Sequence, residues 1–298
     1  MSDNVAFYCF VAFLLAAIAS IIIYIFQPAL TRAQFNSDNI TFEKIGIQSN
    51  HNNEEDSYLL SLVVPAFNEE DRLPPMLTST LDFLQSSKDE LIKLCNESLI
   101  LDNKQRKEYG ANTQTPPFQI IIVNDGSSDG TVEALKKITE KEFNHSVQAT
   151  TAIKLLTLKH NAGKGAAVKA GMLHCNAKLA LMVDADGATN ISSLDSLLKE
   201  MKASRAHMVF GSRAHMQEKS KAERSFVRTL LMKAFHFFVE FLIGNEILDT
   251  QCGFKLFRGD IIQNLFGNLH LQKWAFDTEI VVIAERLGLR IAEVGVEW

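Results

Sequence analysis

The chain has 298 residues, 47% of them hydrophobic and 22% charged, with 30 Lys and Arg against 35 Asp and Glu for a net charge of −5. That balance excludes disordered, collagen-like and low-complexity chains, and it offers no global basic field for nucleic acid, so a phosphate-bearing partner must be caught by local charge. Four cysteines (Cys9, Cys95, Cys175 and Cys252) lie far apart with no CxxC pair, which argues against a disulfide framework or zinc site and for a reducing compartment.

The first element is an uncharged run from Val5 to Phe26. As a helix it is roughly 30 Å long, the thickness of a bilayer's hydrocarbon core. Ala17-Ile18-Ala19 has the small-residue spacing of a signal-peptide cleavage site. The run nevertheless lacks a basic lead and stays apolar through Ile21-Ile22-Ile23, so residues 1–30 are expected to be an uncleaved transmembrane anchor. Asp3 precedes the span and Arg32 and Lys44 follow it, which points the body that follows toward the cytosol. Sequons at Asn39, Asn96, Asn144 and Asn190 are expected to stay unused there. Residues 31–58 are polar, with an Asn/Glu/Asp cluster from Ser49 to Ser57, and read as a linker to a body over 59–298.

Short apolar runs suited to strands follow at Leu60–Val64, Phe118–Val123, Ile153–Leu158, Leu179–Val183 and His207–Gly211. Helical patterns separate them at Leu73–Gln85, Val132–Phe143, Gly165–Cys175 and Ser192–Ala203, while residues 87–116 read as a surface excursion. The alternation predicts an α/β fold, a Rossmann-like, mostly parallel sheet with helices on both faces. Ligands of such sheets sit beyond the carboxyl ends of the strands. There the sequence places Pro65–Glu70, Asn124–Thr131, Asn161–Gly165 and Asp184–Gly187.

Asp184 and Asp186 flank one small residue, and a bend helped by Gly187 would bring both to one ion. Two such carboxylates suit a hard cation, Mg²⁺ or Mn²⁺, that also holds phosphates. An Asp-x-Asp-Gly turn is the plainer alternative, and the neighbouring loops weigh against it. Asp125, beyond a buried strand, is placed to accept from a base N–H. Gly163-Lys164-Gly165 opens a helix and offers backbone N–H groups and one ammonium to an anion, without the Walker A spacing. Arg213 is a candidate clamp for a diphosphate. Arg224 and Arg228, one helical turn apart, are candidates for an acceptor phosphate.

Taken in order, these loops resemble those of the inverting family 2 glycosyltransferases of GT-A fold. The downstream stretches Asp249–Phe257 and Trp274–Glu279 are similar to those of its dolichyl-phosphate glucosyltransferases. The resemblance implies transfer of glucose from UDP-glucose to dolichyl phosphate at the endoplasmic reticulum membrane, feeding lipid-linked oligosaccharide assembly for N-glycosylation. It implies Mg²⁺ or Mn²⁺ on Asp184 and Asp186. The nucleotide sugar would meet Pro65, Ala66, Glu69, Asp125, Gly126, Lys164, Gly165, Asp184 and Ala185, with Asp125 near the uracil. Asp184, Asp186 and Arg213 would serve the chemistry, and Arg224, Arg228, Asp277 and Glu279 the acceptor side. A homo-oligomer is compatible with this reading. Some relatives that act on polyprenyl phosphates place a Gln ligand where Ala188 stands, leaving the third metal ligand open. Members also usually continue past the position of Trp298 into a short basic and apolar region, so a C-terminal truncation is an expectation.

Overall fold

The computed structural model describes residues 40–45, 57–99, 116–142, 147, 150–213, 247 and 249–298. The expected anchor, Arg224 and Arg228 lie outside them. Among the described residues no helix is long and apolar enough to cross a membrane.

The sheet is built on β2 (Tyr58–Ala66), whose residues from Leu59 to Ala66 are all buried. It pairs in parallel with β3 (Phe118–Asn124) on one side and β5 (Ala177–Met182) on the other. Beyond β3 lies β4 (Thr151–Leu158), again parallel. Strands covered on both faces need apolar side chains at nearly every position, so their sequence signal is a continuous run rather than an alternation. Leu60, Leu62 and Val64 of β2 share a core with Leu73, Leu77 and Leu81 of α1 (Leu73–Ser86). Val63 of β2 and Val123 of β3 point the other way, against Gly171 of α4 (Lys164–Leu173), where any Cβ would collide with both valines. Full burial of each such Leu or Ile contributes about 1.5–3 kcal/mol.

Three strands depart from the expectation. β1 (Ile40–Ile45), inside the stretch expected to be linker, pairs antiparallel with β4, Ile40 opposite Leu158 and Ile45 opposite Ile153. β7 (Lys255–Arg258) inserts antiparallel between β5 and β6 (Met208–Ser212), and β8 (Ile291–Gly295) closes the far edge parallel to β6. The eight strands run in the order β1-β4-β3-β2-β5-β7-β6-β8. Four of the seven pairings are parallel and three antiparallel, so the sheet is mixed rather than mostly parallel. The added strands have only four to six residues, too short for a clear period. Within the expected surface excursion, α2 (Lys88–Ser98) turns Leu91, Cys95 and Ser98 inward. Further α-helices among the described residues are α3 (Thr131–Glu142), α5 (Leu194–Ser204), α6 (Gly259–Gly267) and α7 (Phe276–Arg286).

Candidate active site

The polar loops gather at the carboxyl ends of β2, β3, β4 and β5. The first two are clasped together. Asn68, held at φ 55°, donates its N–H to Ser127 Oγ and accepts from the Ser128 N–H. The Glu69 N–H donates to Thr131 Oγ1, the Glu70 N–H to Asp129, and the Gly130 N–H returns to Glu70 Oε2. Pro65 and Ala66 are buried at the strand end, and the Ala66 carbonyl accepts from the Asp125 N–H at 2.9 Å.

Asp125 is 3% exposed. Its Oδ1 accepts from the Ala162 N–H at 2.7 Å and its Oδ2 from the Gly163 N–H at 2.8 Å. Burial pushes its carboxyl up, against the pull of those two amides. The residue expected to meet a base therefore first holds the turn ahead of Lys164, and each oxygen keeps a further lone pair. Gly126 (φ 69°) lies on the backbone of His160 and Asn161, an approach that excludes a Cβ. Gly163 (φ 100°) supplies the left-handed backbone from which α4 starts.

Across the cleft, Val183 extends the β5 pairing and Gly187 (φ 66°) makes the turn after it. Asp186 is exposed and accepts from the Ala188 N–H at 3.0 Å. Asp184 is half-buried, with Oδ1 2.7 Å from the Lys164 ammonium. That contact is a charge pairing only, since Oδ1 is buried and accepts no directed hydrogen bond. Glu69 stands close enough that its carboxyl is pushed up, by burial first and then by Asp186 and Asp184, against the pull of Arg72.

Arg213, just past β6, lines the same cleft as Asp184 and Asp186. Asp249 holds it with two side-chain bonds (Nε to Oδ2 at 2.9 Å, Nη2 to Oδ1 at 3.2 Å) and one from the Arg213 backbone N–H. The Trp298 ring lies 5.5 Å from its guanidinium carbon. Burial works to raise the Asp249 carboxyl, but Arg213 outweighs it and holds the group below the usual range. Trp274, 73% exposed, lies 5.5 Å from the Lys164 ammonium, so Lys164 and Arg213 each have an indole beside them.

Of the four residues expected on the acceptor side, the two that are described, Asp277 and Glu279, are occupied within the protein. Glu279 accepts from the backbone N–H groups of His270 and Leu271 and ties down that loop. Asp277 is 4% exposed and accepts from buried Lys255 at 2.6 Å. Sequence reasoning missed Asp249, Lys255, Trp274 and Trp298 as contributors. A cation opening the apolar run Lys255-Leu256-Phe257 was the available signal for a buried pair.

The site fits a hard divalent cation. Asp184 and Asp186 are oxygen donors set apart by a turn, and Asp184 Oδ1 is buried without a directed donor. Among the described residues no group of three or more His, Cys, Asp or Glu side chains forms a metal cage. Mg²⁺ typically takes one or two carboxylates and completes its shell with waters and substrate phosphates.

Known proteins match the chain along most of its length. The family described as Glycosyl transferase family 2 matches residues 61–266. The dolichyl-phosphate beta-glucosyltransferase of Dictyostelium discoideum is 40% identical over 247 residues, covering 82% of this chain and 67% of that protein. The one from Homo sapiens is 37% identical, covering 80% and 67%. The chain thus spans about two thirds of the length of these relatives. A glucosyl-3-phosphoglycerate synthase from Mycobacterium tuberculosis, solved with Mn²⁺, UDP and glucosyl-3-phosphoglycerate, is 15% identical with a TM-score of 0.47, covering 82% of this chain and 72% of that one. With its polar loops at the strand ends and this extent of matching, the chain belongs to glycosyl transferase family 2, within the dolichyl-phosphate β-glucosyltransferases.

Proposed function

We propose that the chain transfers glucose from UDP-glucose to dolichyl phosphate with inversion, giving dolichyl β-D-glucosyl phosphate and UDP. The product would serve as glucose donor for lipid-linked oligosaccharides. The observation that carries this reading is the convergence of Asp184, Asp186 and Arg213 on one cleft, with Lys164 paired to Asp184. Two carboxylates and two cations suit a diphosphate leaving group that arrives with a divalent ion.

In the reaction a phosphate oxygen of the acceptor attacks the anomeric carbon. The bond from that carbon to the UDP oxygen breaks on the opposite face. A phosphate monoester already carries about −1.5 to −2 charge at neutral pH, so no residue must remove a proton first. The protein's share is placement and charge. The Gly163–Gly165 turn offers backbone N–H groups, Lys164 can turn from Asp184 toward the diphosphate, and Arg213 is preset by Asp249. Asp184 and Asp186 would hold a Mg²⁺ or Mn²⁺, which would supply positive charge to the leaving diphosphate. On the acceptor side Arg224 and Arg228 are the candidates. The Val5–Phe26 run supports a single-pass anchor in the endoplasmic reticulum membrane with the body facing the cytosol, close to a lipid acceptor.

Radiolabelled UDP-glucose, dolichyl phosphate and Mg²⁺ or Mn²⁺ test the activity. Label should enter the lipid phase and stay out of it when the metal is chelated. Preferential mannosyl transfer from competing GDP-mannose, or transfer to soluble sugars alone, would overturn the substrate assignment. In microsomes, glycan added to any of Asn39, Asn96, Asn144 or Asn190 would overturn the orientation.

A further inference from the structure

Beneath the cleft the protein buries a complete charge pair. Lys255 has no exposed surface. Its ammonium donates to the Cys252 carbonyl and to Asp277 Oδ1, and it also lies 5.0 Å from the Phe210 ring. Fully buried and spent on these two partners, it is a positioning rather than a catalytic residue. Its partners, however, border the catalytic carboxylate from two directions. Cys252 leads into Gly253, whose Cα abuts the Asp184 carboxylate so closely that a Cβ there would overlap it. Asp277 follows Phe276, whose Cβ packs against Gly165, next to Lys164. Lys164 in turn pairs with Asp184. The contacts close a ring from Asp184 through Gly253, Lys255 and Asp277 to Lys164 and back.

Packing alone gives no reason for charge at this place. Taking two charges out of water costs several kcal/mol each, and apolar residues of similar volume often replace a buried pair without loss of stability. The neighbours Leu256 and Phe257 are fully buried, and a Met at 255 would suit such surroundings. What the pair adds is direction, a fixed separation between the Cys252 carbonyl and the first turn of α7.

We propose that the Lys255–Asp277 pair is a positioning device that fixes the Asp184 carboxylate and the Lys164 ammonium for a metal–diphosphate. The inference rests on the glycosyltransferase reading above.

Titration calorimetry with UDP, with and without Mn²⁺, tests it on the full chain. The proteins are the parent, Lys255→Met, and the double variant Lys255→Met with Asp277→Leu. The single change leaves a carboxylate buried and alone and is expected to lower stability, whereas the double change removes both charges. The double variant should melt close to the parent. Its gain in UDP affinity on adding Mn²⁺ should fall about 10–100-fold, the usual cost of losing an outer partner of a metal ligand. A gain equal to the parent's overturns the proposal. So does a double variant that cannot fold, because the pair is then a structural requirement. A parent that shows no Mn²⁺-linked UDP binding defeats the underlying functional reading instead.

Discussion

The two halves of the sheet hold their functional loops by different means. Around β2, β3 and β4 the carboxylates are spent on backbone amides: Asp125 on Ala162 and Gly163, Glu70 on Gly130, Asp129 on Glu70 and Thr131. Around β5, β7 and β6 three of them are paired with cations, Asp184 with Lys164, Asp249 with Arg213 and Asp277 with Lys255, although Asp186 and Glu279 still meet backbone amides. Backbone amides fix a loop in one shape, and nothing a ligand brings improves on them. An ion pair at a half-open cleft can instead exchange its partner for a stronger one. The first half therefore holds its loops in one fixed shape. In the second the partly open Asp184–Lys164 pair can rearrange around a diphosphate, while the buried Lys255–Asp277 pair and the Asp249-held Arg213 stay in place.

The strongest test of that contrast is Asp186→Asn. Asp186 is exposed, so folding should change by less than about 0.5 kcal/mol. Turnover should fall by about two to three orders of magnitude, the scale for removing one preorganised charge-stabilising group. Unchanged kcat, with unchanged metal dependence of UDP binding, would remove the metal role from this half.

Next comes Asp249→Asn, which leaves the half-buried Arg213 without its counter-ion. The loss should be about 1.5–3 kcal/mol at neutral pH, as for a hydrogen bond between charged groups. Asp249 has its carboxyl depressed in the folded state, by the bonds and charge of Arg213 acting against burial. Its contribution is therefore fully present above the unfolded value near 3.8 and is lost as pH falls through the folded value. Denaturant melts of parent and variant should differ most at neutral pH and converge in acid below about pH 4. A deficit that persists undiminished in acid would show that the effect is packing and not charge.

How much of this was legible in the sequence follows the same division. The first half announces itself because parallel, doubly covered strands read as near-continuous apolar runs, as in Leu60–Val64 and Phe118–Val123, each broken by one polar residue, Ser61 or Gln119, which bond each other. Gly and Asp punctuate their ends, so the four loops could be placed at one edge. In the second half the order of strands is not the order of the chain. β7 comes back antiparallel between β5 and β6, and four residues starting with Lys255 carry no visible period. Asp184 and Asp186 were legible from spacing and Arg213 from its place after a strand. Asp249, Lys255 and the inward turn of Asp277 were not, because each is defined by a partner distant in sequence. β1 was lost for a related reason, since Ile40–Ile45 sits in a polar stretch and its pairing partner β4 begins more than a hundred residues later.

In the first half Asp125→Asn should cost about 1–3 kcal/mol, because an amide presents one acceptor oxygen where two N–H groups point. The side chain's NH₂ then faces the N–H of either Ala162 or Gly163, and one of them is left unpaired inside the fold. Chemical denaturation measures the loss. Amide hydrogen exchange should place it at residues 161–165, with protection around Arg213 unchanged. Loss of protection spread evenly over both halves would contradict the separation drawn here.

The smallest effect is the most discriminating for the first half. Arg72 pairs with Glu69 (Nε to Oε2 at 2.7 Å), an ion pair on the side where amides otherwise satisfy the carboxylates. Arg72 is 57% exposed, and exposed pairs contribute about 0–1 kcal/mol after screening and side-chain entropy. Arg72→Ala should therefore lower stability by no more than about 1 kcal/mol. Burial already pushes the Glu69 carboxyl up, with Asp186 and Asp184 adding to it and Arg72 opposing. Ionised Glu69 thus weighs against folding once pH rises above the unfolded carboxyl value, and losing Arg72 increases that weight. The deficit should accordingly be present at neutral pH, shrink in high salt, and vanish in acid where Glu69 is protonated in both proteins. A deficit above about 2 kcal/mol, or one indifferent to salt and pH, would mean that the loop between β2 and α1 depends on this pair as the second half depends on its own.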